Sequence, residues 1–306
     1  MDCSVIICTY NRADILRENL ATLLQQAYAP GKLEFLVVDN CSSDETPAVA
    51  RMFANRGPHP VRYVYEARQG LSYARNCGFR EAQGEIVIFL DDDALPEKNT
   101  WVANLMKAFR DPQVGAAGGD IHLRWPDSGR PDWVHDFLLP NLGKTMFDFQ
   151  QEAVLHYPNY PWGGNIAFRK ACLQQLNGFS PQLGRNGEAQ LSGEETEVCL
   201  RLEAEGKEIR YVPDAAVAHL VAPERLTREW FHRRAYGQGL SDAEIARLHA
   251  GMRQGVIQLM RNILKVAIYL AGKTTYVLTR NPRMATYCSY QLTFSRAYIM
   301  RMLNLR

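Results

Sequence analysis

Apolar and polar residues alternate in two rhythms along the first hundred positions of the chain. Short apolar runs typical of buried strands are separated by longer stretches in which apolar residues recur every three to four positions, as on an amphipathic helix. This βαβα order predicts a mostly parallel sheet, because consecutive parallel strands need a crossover connection. The predicted strands are Ser4 to Thr9, Leu33 to Asp39, Val61 to Tyr65 and Glu85 to Leu90, and the predicted helices are Ile15 to Ala27, Thr46 to Ala54 and Leu71 to Ala82.

Two of these helices begin with polar residues in capping-box spacing. Asn11 precedes Asp14 by three positions, and Ser42 precedes Glu45 in the same way. Side chains with this spacing satisfy backbone N–H groups of a first helical turn. The sequence therefore predicts side-chain caps at both helix starts, and Pro30-Gly31 is predicted to end the first helix.

The pattern after Pro96 predicts a less regular second half. A long loop region from Trp125 to Pro161 is rich in proline, glycine and aromatic residues, and residues beyond Pro223 are almost entirely helical in pattern. This change predicts an α/β domain over residues 1–222 and a helical region over 223–306. The other predicted elements are helices at Pro96 to Phe109, Lys170 to Leu176 and about Glu195 to Glu205, strands at Val114 to Gly118, Asn165 to Phe168, Ile209 to Val212 and Ala216 to His219, and a glycine-rich loop from Leu183 to Gly193.

The amino-acid composition excludes several classes of protein. The 306 residues are 46% hydrophobic and 22% charged, with a mean hydropathy of −0.28, which excludes a mainly disordered chain. We expect neither a transmembrane helix nor a secretory leader, because no apolar run approaches about 18 residues and the N-terminus lacks a basic region. The seven cysteines are dispersed without a CxxC pair and predict neither a disulfide framework nor a zinc site. A cytoplasmic protein is the expectation.

Charge is distributed unevenly along the chain. Residues 1–223 carry a net charge of −8 and residues 224–306 a net charge of +10, and no acidic residue follows Glu244. Apolar residues at helical spacing form a broad stripe flanked by Arg253, Arg261, Lys265 and Lys273, which predicts an interfacial helix on an anionic membrane surface. A wide aliphatic stripe fits lipid better than nucleic acid, so no nucleic-acid partner is expected. The alternative is that the stripe packs on the domain formed by residues 1–222. Its members are Val256, Leu259, Met260, Ile263, Leu264, Ala267, Ile268 and Leu270.

Polar residues gather where the predicted strands end. Thr9-Tyr10-Asn11, Asp39-Asn40 and Asp91-Asp92-Asp93 each follow an apolar strand. The carboxyl ends of parallel strands share one rim, where ligands bind. Three adjacent carboxylates repel one another, and a divalent cation would neutralise them. The alternative for the three aspartates is a solvated acidic turn.

Phosphate-binding glycine motifs are missing from the sequence. Neither GxxxxGK[ST] nor GxGxxG occurs, which excludes a P-loop and the dinucleotide-binding fingerprint. A diphosphate bridged to the aspartates by a divalent metal is then the natural ligand.

Seven motifs together resemble the family 2 glycosyltransferases, which have the GT-A fold. The resemblance covers roughly residues 3–222, with the motifs in the family's order and at its spacings. It implies a GT-A-type nucleotide-binding α/β sandwich, extended here by basic C-terminal helices. The motifs are CTYNR (8–12), VVDN (37–40), GLSYARNCG (70–78), FLDDDA (89–94), GGN (163–165), GEETEVCLR (193–201) and VPDAAVAH (212–219).

The resemblance implies a set of donor-binding residues. Asp39 corresponds to the carboxylate that reads the nucleotide base, although in isolation it reads as a turn residue, and Asp93, Asp91 and His219 correspond to metal ligands. His219 at a strand end has a purely structural alternative, and Arg75-Asn76 could be a surface helix pair. The donor-binding set is Thr9, Tyr10, Asn11, Arg12, Asp39, Arg75, Asn76, Asp91, Asp92, Gly163, Gly164 and Asn165.

The acidic pair Glu194-Glu195 corresponds to the family's general base. Glu195 is the candidate and Glu194 the alternative, because this chain has Glu where Asp is usual; both could instead serve only to stabilise a helix N-terminus. Trp162 would stack on the acceptor sugar, with a role in the core as the alternative.

The resemblance implies a metal-dependent enzyme that inverts the anomeric carbon. The expected reaction moves a sugar from a nucleoside-diphosphate sugar, preferably a UDP-sugar, to a hydroxyl of a carbohydrate or lipid-linked carbohydrate, with Mn²⁺ or Mg²⁺ as cofactor. The expected setting is polysaccharide or glycolipid biosynthesis on the cytoplasmic face of a membrane. The alternatives are a sugar-nucleotide nucleotidyltransferase and a non-catalytic nucleotide-sugar-binding scaffold.

Overall fold

The computed structural model describes residues 1–54, 56–147, 149–186, 190–249 and 251–305. Residues 187–189 of the predicted glycine-rich loop lie outside these ranges, and so does the side chain of Arg253, which was predicted to flank the apolar stripe. The described strands are β1 (Cys3–Thr9), β2 (Leu33–Asp39), β3 (Val61–Tyr65), β4 (Ile86–Asp91), β5 (Ala94–Pro96), β6 (Val114–Arg124), β7 (Ala153–Leu155), β8 (Asn165–Arg169) and β9 (Glu208–Leu220). The helices are α1 (Ala13–Leu23), α2 (Thr46–Phe53), α3 (Leu71–Glu81), α4 (Trp101–Ala108), α5 (Lys170–Gln175), α6 (Glu194–Ala204), α7 (Arg228–His249), α8 (Met252–Leu278) and α9 (Pro282–Met302).

The strands form one sheet in the order β3-β2-β1-β4-β8-β6-β9-β5, with β7 paired to β9. The pairings of β1 with β2 and β4, of β2 with β3, and of β6 with β9 are parallel, whereas β5, β7 and β8 pair in the antiparallel direction. The carboxyl ends of β1, β2 and β4 therefore lie side by side. The predicted α/β class, with a mostly parallel central sheet and helices at the C-terminus, is confirmed.

Alternate residues of the central strands pack on opposite faces of the sheet, as the two-residue period of a strand requires. Val5 and Ile7 of β1 face a core that also contains residues of α1, α2 and α4. Ile6, between them, faces a second core with residues of α3, α5 and α6. Both faces are covered, which explains why β1, β2 and β4 are nearly continuous apolar runs.

Both predicted helix caps are wrong. Neither α1 nor α2 has a side-chain cap hydrogen bond from its own first residues. The Asp44 carboxylate, in the loop after β2, accepts hydrogen bonds from Ala13 N at 3.0 Å and Thr46 N at 3.0 Å, so one loop residue serves both helix starts. Helix α1 also ends at Leu23, well before Pro30.

Two other predicted elements differ from the structure because of long-range strand pairing. Residues 94–96 form β5 on the edge of β9, and the following helix begins only at Trp101. The two short strands predicted at 209–212 and 216–219 are one strand, β9. Its register against β6 shifts between Gly119 and Ile121, which carries the strand past the intervening Pro213. The predicted loop region contains β7 and a 3₁₀ helix at Asp136–Leu142.

The described residues divide into two compact units, each built from separate stretches of chain. The first contains Met1–Arg124, Gly143–Gln182 and Glu194–Leu220, and the second contains Trp125–Leu142, Leu183–Gly193 and Val221–Arg306. The predicted domain boundary between residues 222 and 223 stays a prediction about independent folding. The cysteines are free thiols. Among the described residues, no helix is long and apolar enough to cross a membrane.

Candidate active site

The acidic turn joins β4 to β5 at the carboxyl end of the sheet. Asp91 is the last residue of β4, Asp92 and Asp93 form the turn, and the chain then pairs with β9 as β5. Leu220 N donates to the carbonyl of Asp93 at 2.7 Å, which fixes the end of β9 against the turn. This pairing brings His219 to the aspartates from 126 positions further along the chain.

Asp91, Asp93 and His219 form a cluster suited to a divalent cation. One donor atom from each lies within 4.8 Å of the others, and His219 Nε2 lies 3.1 Å from Asp93 Oδ1. Asp93 and His219 are buried, whereas the Asp91 side chain is 37% exposed and open to a ligand. Two carboxylates and an imidazole are ligands that Mn²⁺ accepts readily, and Mg²⁺ accepts the carboxylates. The residues present fit the predicted metal.

Arg12 supplies the positive charge nearest the acidic turn. Its Nη1 donates to Asp92 Oδ1 and to Asp93 Oδ2, both at 2.8 Å, and Thr9 Oγ1 donates to Asp92 Oδ2 at 2.8 Å. Burial raises the pKa of Asp92 despite the nearby Arg12, and Asp92 and Asp93 raise the pKa of Arg12. The loop after β1 thus holds two of the three carboxylates in place.

Asn19 on α1 supports the same turn, and the sequence patterns did not identify it. Its side chain is fully buried, and Nδ2 donates to the carbonyls of Ala94 at 2.7 Å and Asp91 at 3.3 Å. An asparagine on the buried face of a predicted amphipathic helix was the one available signal, because a buried amide needs hydrogen-bond partners.

Three further residues of the predicted donor-binding set lie at the ends of β1 and β2. Tyr10 is 47% exposed, and Asn11, with a φ of 52°, accepts a hydrogen bond from Ser43 N at 2.7 Å. Asp39 is fully buried and accepts hydrogen bonds from Ser42 N at 2.9 Å and Tyr63 Oη at 2.8 Å. Tyr10 offers an open ring at this rim, and the base-reading role of Asp39 stays a prediction.

Arg75 on α3 connects the acidic turn to the acidic pair. The surface alternative for Arg75 is wrong, since only 3% of the residue is exposed. Its Nη1 donates to Glu194 Oε1 at 2.7 Å, and its Nη2 donates to the carbonyl of Gly163 at 3.0 Å and lies 3.6 Å from Asp91 Oδ1. Burial alone would lower the pKa of Arg75, but Glu194, Glu195 and Asp91 raise it above its ordinary value.

The two glutamates have different surroundings although both are buried at the start of α6. Glu194 is paired with Arg75, and its Oε2 has no hydrogen-bond partner among the described residues. Glu195 accepts a hydrogen bond from Gly163 N at 3.2 Å and lies 3.9 Å from Arg75 Nη1. Burial, reinforced by the Glu194 carboxylate, raises the pKa of Glu195 to about 7. A carboxylate with a pKa near neutrality can both accept and release a proton.

Gly163 and Gly164 lie against the charged side chains of the site. A Cβ on Gly163 would lie 2.6 Å from Arg75 Nη1, and one on Gly164 would lie 2.9 Å from Asp91 Oδ2. A side chain at either position would therefore displace the charged end of Arg75 or Asp91 from its place in the site. Trp162 is partly buried and packs against the core under α1, α2 and α4.

The predicted asparagines Asn76 and Asn165 are buried and bonded within the protein. Asn76 exchanges hydrogen bonds with the backbone of Phe179, and Asn165 donates to the carbonyls of Asp120 and Ala215 while accepting from Trp101. Asn76 therefore positions the loop at Phe179, Asn165 links β8 to β6, β9 and α4, and direct contact with a donor stays a prediction for each. The structure brings the remaining predicted residues to one rim of the sheet.

Comparisons with known proteins agree with this arrangement. The family model described as "Glycosyl transferase family 2" matches residues 4–176. A glucosyl-dolichyl phosphate glucuronosyltransferase of Haloferax volcanii is 27% identical over 247 residues, covering 79% of this chain and 76% of that protein. The glycosyltransferase AglE of the same organism is 33% identical over 182 residues, covering 55% and 60% of the two chains.

Solved structures show the same fold. The mannosyltransferase PcManGT from Pyrobaculum calidifontis, solved with GDP-Man and Mn²⁺, superposes with a TM-score of 0.66 at 24% identity and covers 99% of this chain and 88% of its own. Residues 1–349 of TarS from S. aureus, in complex with UDP-GlcNAc, give a TM-score of 0.56 at 18% identity, covering 97% and 92%. The fold is that of the GT-A glycosyltransferases, and the chain belongs to glycosyl transferase family 2.

Proposed function

We propose that this glycosyltransferase moves a sugar from a nucleoside-diphosphate sugar, preferably a UDP-sugar, to an acceptor hydroxyl with inversion at the anomeric carbon. The observation that carries the proposal is the convergence of Asp91, Asp93 and His219 within 4.8 Å beside an arginine-linked glutamate pair. Diphosphate binding and proton removal are the two tasks that such a transfer needs.

Each part of the site has a task in this proposal. Asp91, Asp93 and His219 would hold Mn²⁺ or Mg²⁺, which supplies charge neutralisation and Lewis-acid assistance for the departing diphosphate. Glu195 takes the proton from the acceptor hydroxyl as that oxygen attacks the anomeric carbon. Arg75 donates to Glu194 at 2.7 Å and lies 3.9 Å from Glu195, so Glu195 is the carboxylate less engaged by the arginine and takes the proton. Tyr10 would lie along the base, and Arg12, which contacts both Asp92 and Asp93, would be placed to meet the phosphates of the donor.

For the acceptor, we propose a carbohydrate or lipid-linked carbohydrate used in polysaccharide or glycolipid assembly. The support is that the Haloferax relative is named for a dolichyl phosphate substrate. We also propose a cytoplasmic location with peripheral contact to an anionic membrane surface. Free thiols are typical of the reducing cytoplasm, and the basic C-terminal region complements anionic lipid.

Calorimetry tests the donor site without an acceptor. UDP, GDP and dTDP are titrated with and without Mn²⁺ into the parent, Asp93→Ala and Asp14→Ala, the last removing an exposed carboxylate of α1. The proposal expects Mn²⁺-dependent binding, strongest for UDP, in the parent and in Asp14→Ala, and its loss in Asp93→Ala. Equal, metal-independent binding in all three proteins would contradict it.

Inversion is tested on the slow hydrolysis of the donor by water. If the reaction inverts, NMR spectroscopy shows the β-anomer of the sugar first when the donor is an α-linked UDP-sugar. Initial release of the α-anomer would assign retention. The nucleotidyltransferase alternative has no support from the family match, and the intact carboxylates disfavour a non-catalytic scaffold.

A further inference from the structure

Helix α8 exposes a broad apolar face. Its outward apolar residues lie at helical spacing between Val256 and Leu278, with Thr274 and Thr275 on the same face, and they cover an arc of about 180° along roughly 33 Å of helix. The large apolar side chains on this face are each between 43% and 77% exposed. They are Val256, Ile257, Met260, Ile263, Leu264, Ile268, Leu270, Val277 and Leu278.

The opposite face of α8 is already occupied by α9. Gln258 Oε1 accepts a hydrogen bond from Tyr298 Oη at 3.0 Å, and the rings of Tyr269 and Tyr287 meet edge to face at 5.9 Å. Gly272 lies close to Cys288, since a Cβ there would be 3.3 Å from Sγ. Packing within the helical unit therefore uses one face and leaves the apolar one outward. Monomeric proteins rarely expose apolar patches of more than a few hundred Å².

The charged residues around this apolar face indicate what kind of partner binds it. Residues 245–306 contain ten Lys or Arg and no Asp or Glu, and on α8 Arg261 and Lys273 lie at the two margins of the apolar arc. A second copy of the chain would bring these cations together without acidic partners nearby. An anionic lipid surface offers acyl chains to the arc and headgroup charges to its margins.

We propose that α8 lies in the interface of an anionic bilayer, with the arc from Val256 to Leu278 facing the acyl chains. This inference deepens the proposed membrane contact by assigning it to one face of one helix. It is tested by binding rather than by transfer, so its failure and the failure of the proposed reaction are distinguishable.

The experiment is sedimentation of the full chain with vesicles of phosphatidylcholine alone or mixed with phosphatidylglycerol. The test variant is Met260→Glu/Leu264→Glu, at positions 66% and 62% exposed, where the native fold tolerates a charge. The matched control is Leu248→Glu/Leu303→Glu, which makes the same charge change at exposed positions outside α8.

We expect the parent and the control to sediment with the anionic vesicles and less with neutral ones, and binding to weaken as salt rises. The α8 variant should bind the anionic vesicles at least about tenfold more weakly than the parent, with an unchanged circular dichroism melting curve. Three results would overturn the inference: no sedimentation of the parent, equal binding of the α8 variant, or light scattering that shows a parent dimer converted to a monomer by the α8 changes.

Discussion

We expect neutralising substitutions of the two glutamates at the start of α6 to have different effects on transfer and on stability. Glu195→Gln removes the proposed base, so transfer should fall by roughly 10²-fold or more. Its fold should be unaffected, because a neutral amide suits a site that already disfavours the charge.

Glu194→Gln is expected to lower transfer less and stability more, since it breaks a buried ion pair with Arg75. Transfer rates and urea unfolding of both variants check this pair of expectations. A larger loss of transfer in Glu194→Gln, with donor affinity unchanged, would assign the base to Glu194.

The raised pKa of Glu195 gives two pH dependences of opposite sign. Transfer should rise with pH through about 7, because the base acts when deprotonated. Stability should fall between about pH 4.5 and 7, since the carboxyl is protonated in the folded state and ionised in the unfolded state over that range.

The stability lost across this interval is on the order of 3 kcal/mol. Urea midpoints measured across the interval should move less in Glu195→Gln than in the parent. Identical pH profiles for the two proteins would show that Glu195 titrates normally.

We expect Arg12 to compete with a divalent cation for the acidic turn. Because its guanidinium contacts Asp92 and Asp93 at 2.8 Å, Arg12→Gln should destabilise the metal-free protein and raise Mn²⁺ affinity several-fold. Arg17→Gln, at an exposed position of α1, is the control. Calorimetric Mn²⁺ titration without nucleotide measures the effect, and weaker binding by Arg12→Gln would indicate that the arginine helps to form the site.

The residue types of the site were predictable from the sequence, but their partners were not. The three aspartates stand out because they follow an apolar strand. The resemblance placed Arg75 in the donor site, but its pairing with Glu194 and Gly163 was not predictable, because both lie more than eighty positions away. No capping pattern in the sequence indicated Asp44, because the two backbone N–H groups that donate to it belong to the starts of two separate helices.

At the scale of elements, α1 acts as a support for the acidic turn. Asn19→Ala removes both hydrogen bonds to the turn, and the expected loss is about 1–3 kcal/mol of unfolding free energy together with weaker Mn²⁺-dependent UDP binding. Asn104→Ala is the control, because Asn104 donates to the Asp214 carbonyl from α4. Urea unfolding measures the stability of the two variants, and calorimetry measures their Mn²⁺-dependent UDP binding. If Asn19→Ala and Asn104→Ala weakened UDP binding equally, Asn19 would have no special role in supporting the acidic turn.

Elements with local signals were predicted well, and elements that depend on distant partners were not. The strands and crossover helices of the first ninety residues carry their own periodicity, and their bounds agree to within a few residues apart from the end of α1. The segment at residues 94–96 looked like the approach to a helix because nothing nearby shows that β9 pairs with it. The wide apolar stripe of α8 was also visible in the sequence, but its exposure required the structure.

At the scale of the whole molecule, both compact units are built from separate stretches of chain, and this predicts what truncation does. A chain ending at Val221 keeps residues 125–142 but loses their partners: Phe231, whose ring meets that of Trp133 at 5.5 Å, and Tyr290, which donates to Asn141. We expect cleavage in residues 125–142 under limited proteolysis that leaves the full chain intact. Full protection of the truncated chain would support 1–222 as an independent domain.

Because β5 pairs with β9, the candidate site can be completed only after β9 has been synthesised. Thr9, Arg12 and Asn19 leave the ribosome before the acidic turn and can hold its carboxylates and carbonyls at once. His219 and the Leu220 N–H that fixes Asp93 emerge only after more than a hundred further residues. On a nascent chain Arg12 can therefore contact the acidic turn first, and the cluster of Asp91, Asp93 and His219 is complete only after residue 219 has emerged.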